Sequence, residues 1–161
     1  MRLFIATVMV FSFTLFGRLR VQRLRADAGR ARQFSSLLCE LADGLQARAV
    51  SLPEIFRRAA SCDAYAPFLP LLDNARTGAE VAERWRERGE PVLPAELRSA
   101  CEAALCRTSG FDADGEAAQL RQCAEAIRTS LAERAKARAD REKLEQVLWP
   151  IGGCIAAVIL L

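Results

Sequence analysis

The residues of this chain that could do chemistry are its six cysteines and its carboxylates, since the 161 residues include no histidine. The cysteines stand at positions 39, 62, 101, 106, 123 and 154. A nucleophilic thiol needs a neighbouring base, and a thiolate metal site needs paired ligands such as CxxC joined to a second pair or to histidines. Neither pattern occurs. Cys101 and Cys106, the closest pair, are five positions apart on a predicted helix, which turns the two side chains in different directions. A hydrolase built on Cys62 or Cys106 would lack its base. The cysteines therefore read as small apolar residues buried in a reducing compartment, with Cys154 a candidate for acylation. Acid-base work near neutral pH would fall to a shifted Glu, Asp, Lys or Cys, and no GxSxG, P-loop, HExxH or GxGxxG is present. No catalytic, cofactor or metal site is expected, and the chain does not read as an enzyme.

Charge is its other chemical resource. Six arginines, Arg18, Arg20, Arg23, Arg25, Arg30 and Arg32, stand against one acid, Asp27. A second basic stretch holds Arg134, Lys136, Arg138, Arg141 and Lys143 against Asp140, Glu142 and Glu145. Between them, residues 33–133 carry eleven arginines and sixteen carboxylates, so a net charge of +3 hides two basic collars around an acidic body. The collars suit anionic lipid headgroups, and the body does not suit nucleic acid. The excess of arginine over lysine reads as a GC-rich genome. At Ser109–Gln119, Asp112, Asp114 and Glu116 cluster at a helix start, with Gln119 one turn on. They can serve as caps and partners of the helix dipole, or as a partner-contact surface. Trp85 reads as a core anchor.

The elements that must position these groups begin with two apolar runs. Leu3–Gly17 and Val147–Leu161 each hold fifteen residues without a charge. At about 1.5 Å per residue each reaches roughly 22 Å, short against a hydrocarbon core of about 30 Å. Arg18 and Arg20 stand where a signal peptidase would need small residues, so the first run reads as an uncleaved anchor. The second follows a long helix from about Glu116; Trp149 suits a membrane interface, Gly152 and Gly153 suit close helix approach, and Pro150 predicts a kink. A buried terminal helix in a soluble bundle is the competing reading. Both collars face the middle of the chain, which predicts a cytoplasmic location for residues 18–146, between anchors at 1–17 and 147–161.

The middle reads as all-α, one small helical bundle. A helix continues from Arg18 to near Gly44 with Phe34, Leu37, Leu38, Leu41 and Leu45 at helical spacing. Ser51 and Glu54 form a predicted capping box before a helix over Leu52–Ala60 that buries Ile55 and Phe56. Pro67 and Pro70 open a piece ending near Gly78, with Phe68, Leu71 and Leu72 inward. Ala79–Arg88 follows, with Val81 and Trp85 on one face, closed by Gly89 and Pro91. Ala95–Thr108 stripes Leu97, Cys101, Ala104 and Leu105, and Gly110 ends it. Asp112 or Asp114 then caps the final helix, whose stripe is Leu120, Ala124, Ile127 and Leu131. Residues 132–143 are polar on every face and read as a solvated stalk of roughly 18 Å.

With this layout the chain resembles the stage III sporulation protein AB family, small membrane proteins of endospore-forming bacteria. The resemblance covers essentially the whole chain. It rests on the N-terminal anchor, Arg32-Gln33, Leu37-Leu38-Cys39-Glu40-Leu41, the Ser51-Leu52-Pro53-Glu54 turn, Val81-Ala82-Glu83-Arg84-Trp85, the Leu105–Gly110 helix end with Asp112 or Asp114 and Gln119, and Gly152 in the last anchor. The segment Gly110–Gln119 is more widely spaced than the family's pattern, and Pro150 is a departure. The resemblance implies a cytoplasmic domain similar to the helical domain of type II secretion F proteins. It implies a platform in the export channel between mother cell and forespore, on the mother-cell side in the outer forespore membrane. There it would dock the stage III sporulation ATPase and other channel subunits, and the resemblance allows a homo-oligomer. A lipid-binding scaffold working through the arginine collar is the alternative.

Overall fold

The computed structural model describes residues 2–47, 51–88 and 93–160. Their order is α1 (Arg2–Gln46), α2 (Leu52–Ala60), a 3-10 turn (Asp63–Phe68), α3 (Leu69–Leu72), α4 (Gly78–Arg88), α5 (Ala95–Arg107) and α6 (Ala113–Leu160). No strand occurs among the described residues, as the absence of period-two alternation predicts. The chain divides into two compact units, one of Gly29–Leu131 and one of Met1–Ala28 with Ala132–Leu161.

In the first unit the predicted stripes close one core. Phe34, Leu37, Leu38 and Leu41 of α1, Ile55 and Phe56 of α2, Val81 and Trp85 of α4, Cys101 and Leu105 of α5, and Leu120, Ala124 and Ile127 of α6 are all buried. Phe34 sits between two rings, its centroid 4.6 Å from Trp85 and 5.4 Å from Phe68. Trp85 is thus a core anchor. Along α1 and α6, Arg121 reaches Asp43 and Gln46 while Arg128 reaches Cys39, an antiparallel register.

Local chemistry departs from expectation at three places. Ser51 precedes α2 but makes no side-chain cap, and Glu54 turns instead to Arg57. The reciprocal cap lies at Thr77-Gly78-Ala79-Glu80, where the Thr77 hydroxyl accepts from Glu80 N–H and the Glu80 carboxylate accepts from Arg76 N–H at 2.9 Å. The proline segment gives a 3-10 turn around Pro67 and a four-residue α3 that stops well before Gly78. Asn74 ends it in the left-handed region at φ 55°, and Arg84 donates to the Asp73 carbonyl at 2.5 Å. Arg88 likewise donates to Pro67 O. These two arginines satisfy carbonyls that a broken helix leaves exposed. The predicted stop at Gly89 and Pro91 lies outside the described residues.

The second unit pairs the two terminal arms. Trp149 lies against Phe16 in an edge-on contact at 4.9 Å and against Phe13 at 5.9 Å. A Cβ on Gly17 would come to 3.0 Å from Trp149. Farther along, Arg25 donates two hydrogen bonds, 2.9 and 3.0 Å, to one oxygen of Glu142. Position 17 opposite 149 and 25 opposite 142 makes the pairing antiparallel. The glycine of close approach in this pairing is Gly17, while a Cβ on Gly152 would meet nothing within 4 Å; Gly153 and Cys154 fall on side chains outside the described set. The described side chains of residues 132–143 are exposed, apart from half-buried Glu142, which meets Arg25 of the basic collar. Helix α6 continues across Pro150.

Among the described residues no helix is long and apolar enough to cross a membrane. The paired arms nevertheless expose large apolar side chains, including Phe11 at 70% and Val158 at 73%.

Candidate functional site

The segment joining α5 to α6 is set by a sequence of close fits within the helical unit. Helix α5 ends at Thr108, whose buried hydroxyl donates to Ala104 O at 3.0 Å and whose carbonyl accepts from Gly78 N–H at 3.3 Å. Gly78 is obligatory there: a Cβ would come to 2.1 Å from the Leu105 carbonyl oxygen. Gly110 then turns the chain in the left-handed region at φ 82°. Asp112 stands just before α6, and its Oδ1 accepts from Gly115 N–H at 3.2 Å. The structure thereby assigns the cap to Asp112, with Asp114 inside the first turn.

Glu116 braces the segment. It is 8% exposed, and its two carboxylate oxygens accept from the Ser109 hydroxyl at 2.7 Å and Gly110 N–H at 2.8 Å. Burial opposes its ionisation, yet the Ser109 hydroxyl and the backbone N–H groups of Gly110, Ser109 and Asp112 outweigh that and hold its pKa below the ordinary glutamate value. An ionised carboxylate facing an electropositive helix start is well placed. Of the four candidate contact residues, Glu116 therefore spends its carboxylate inside the protein. Asp112 and Asp114 are exposed, and Gln119 is half-buried along a groove between α5 and α6.

Sequence reading missed Phe111. It is 97% exposed, between Gly110 in its left-handed turn and the cap Asp112. The available signal was an aromatic residue in a turn, outside every apolar stripe. Its neighbours Ser109, Gly110, Asp112 and Ala113 line a groove with Leu45, Ser51 and Leu52. A rigid apolar side chain held in water beside two exposed acids has the form of a contact hot spot.

The arginine candidates fall in both units. Arg18, Arg20, Arg23 and Arg25 belong to the paired arms, Arg30 and Arg32 to the helical unit, and all six are exposed. Arg25 is committed to Glu142. Among the described residues no cluster of His, Cys, Asp or Glu could hold a metal ion.

Comparison with known proteins adds one finding. No curated protein and no solved structure matches the chain significantly. A family model for stage III sporulation protein AB matches residues 2–161, taking in both terminal arms, all the core-forming helices and the braced α5–α6 segment. That match spans nearly the whole sequence, and the chain belongs to the stage III sporulation protein AB family.

Proposed function

We propose that this sporulation protein is a membrane-seated platform of the export channel between mother cell and forespore, docking a cytoplasmic secretion ATPase through the segment between α5 and α6. The observation that carries the reading is the apolar surface of the paired arms. Phe11, Leu15, Phe16, Leu19, Val147, Leu148, Ile151, Ile155 and Val158 are all about half exposed or more, a cost in water that lipid removes. Runs of about 22 Å fall short of a core of about 30 Å, and local thinning of the bilayer with outward-reaching arginines accommodates the difference. The collars then meet anionic headgroups on the cytoplasmic side, in the outer forespore membrane.

Docking is supported by the braced segment that presents Phe111 beside Asp112 and Asp114. The experiment is capture of the sporulation ATPase by the full chain in lipid nanodiscs. Phe111→Ser should weaken capture about tenfold or more at an unchanged melting temperature, because this fully exposed side chain does not support the fold. Undiminished capture by that variant removes Phe111 from the interface. Loss of capture only when the six collar arginines are neutralised, with anionic vesicles bound instead, would favour the lipid-binding scaffold.

A further inference from the structure

Between α5 and α6 runs an open groove of about 360 Å3 whose lining includes Cys101, Cys123, Arg107, Gln119 and Gln122. Cys101 is 1% exposed, sealed behind the groove wall, while Cys123 is half-buried and reachable from it. Both line the same groove, and the Cys123 thiol donates to the carbonyl oxygen of Ala100, the residue before Cys101, at 3.8 Å. A pair of sulfurs from two helices, one partly open to solvent and one buried, is the arrangement of an attacking thiol with a resolving thiol.

We propose that Cys123 and Cys101 are a modification site for hydroperoxides, in which Cys123 is oxidised first and Cys101 closes a disulfide joining α5 to α6. The Cys123 thiolate attacks one peroxide oxygen and the O–O bond breaks. The leaving oxygen takes a proton and departs as water or an alcohol, with Cys123 left as the sulfenic acid. The Cys101 sulfur then attacks the sulfenic sulfur; the S–O bond breaks, the hydroxide leaves as water with the Cys101 proton, and the S–S bond forms. Two thiols lose two electrons in all, and the peroxide accepts them.

Two effects make this pair preferred over Cys62 and Cys106, and over Cys39, whose sulfur accepts from Arg128. The neighbouring Cys101 thiol draws the Cys123 thiol down against the opposing effect of burial, which raises its thiolate fraction at neutral pH over that of an ordinary cysteine. Cys101, pushed upward by its neighbour Cys123 and by burial, stays a thiol until the sulfenic acid forms. Its proximity makes the second step intramolecular, which contributes more than the first effect.

The test is a thiol map of the full chain in mild detergent at pH 7 after equimolar hydrogen peroxide. Free thiols are blocked, and the protein is cleaved after Arg and Glu residues, which separates Cys101 from Cys106 at Glu102. The expected result is a Cys101–Cys123 linked peptide at least about tenfold more abundant than any other pairing. In Cys101→Ser, with dimedone present, the sulfenic acid should be trapped at Cys123. Oxidation distributed first over Cys62 and Cys106, or a Cys101–Cys123 link no more frequent than other pairings, overturns the proposal. The wild-type map decides this whether or not the serine variant folds.

Discussion

Glu116 illustrates how a charged side chain becomes part of a turn. Its folded-state pKa lies below that of the unfolded chain, so its contribution is complete above the unfolded value of about 4.3 and lost as pH falls through the folded one. Glu116→Gln should cost about 1–3 kcal/mol at neutral pH, the toll of weakening a buried, charge-assisted pair of acceptor bonds. It should also flatten the acid limb of the stability curve below about pH 4.3. Melting temperature against pH for both proteins checks it, and parallel curves would refute the role. The glycines divide by what they face. A methyl on Gly78 strikes the Leu105 carbonyl, backbone that cannot move, and Gly78→Ala should cost about 3 kcal/mol. A methyl on Gly115 strikes only the Asp112 carboxylate, which can rotate away. Loss of the cap, about 1 kcal/mol, is offset by alanine's helix propensity of similar size, so Gly115→Ala should be close to neutral. Chemical denaturation of the two variants separates the cases.

At the level of helices, what was legible followed periodicity. The stripes Phe34–Leu45, Val81 with Trp85, and Leu120–Ile127 are apolar at helical spacing, and all are buried. Caps were less legible, because a T-x-x-E and an S-x-x-E look alike and only one closes: Thr77–Glu80 has a free backbone N–H to meet, whereas Glu54 finds Arg57 first. Glu116 read as a helix-dipole residue since nothing in one sequence says that a carboxylate will face the preceding turn. The pairing of the arms was illegible for a different reason: the partner of Gly17 lies at Trp149, at the other end of the chain, and no local pattern connects them. That pairing is testable by placing cysteines at Arg25 and Glu142 in a background without the native cysteines. A short bismaleimide should join them, and adding Gly17→Phe, which strikes Trp149, should lower the yield severalfold. An unchanged yield would mean that Gly17 is not the contact holding the arms together.

The whole molecule combines a helical unit whose core is complete within residues 31–131 with arms whose apolar surface is unmet by protein. These two properties predict different behaviour for different lengths of chain. Residues 18–146 retain every buried core residue of the helical unit and lose most of the exposed apolar ones, so this fragment should stay in the supernatant, remain helical and melt cooperatively. The full chain should sediment with membranes, and the force holding it can be identified by salt. Each arginine near an anionic surface contributes about 1 kcal/mol, which molar salt abolishes because the Debye length falls to about 3 Å. Half-exposed apolar side chains contribute about 1 kcal/mol each through burial in lipid, which salt does not weaken. Eleven such side chains lie on the arms among the described residues, so a 1 M salt wash should leave the protein in the membrane fraction. Release by salt would assign the attachment to the arginine collar and remove the apolar arms from that role.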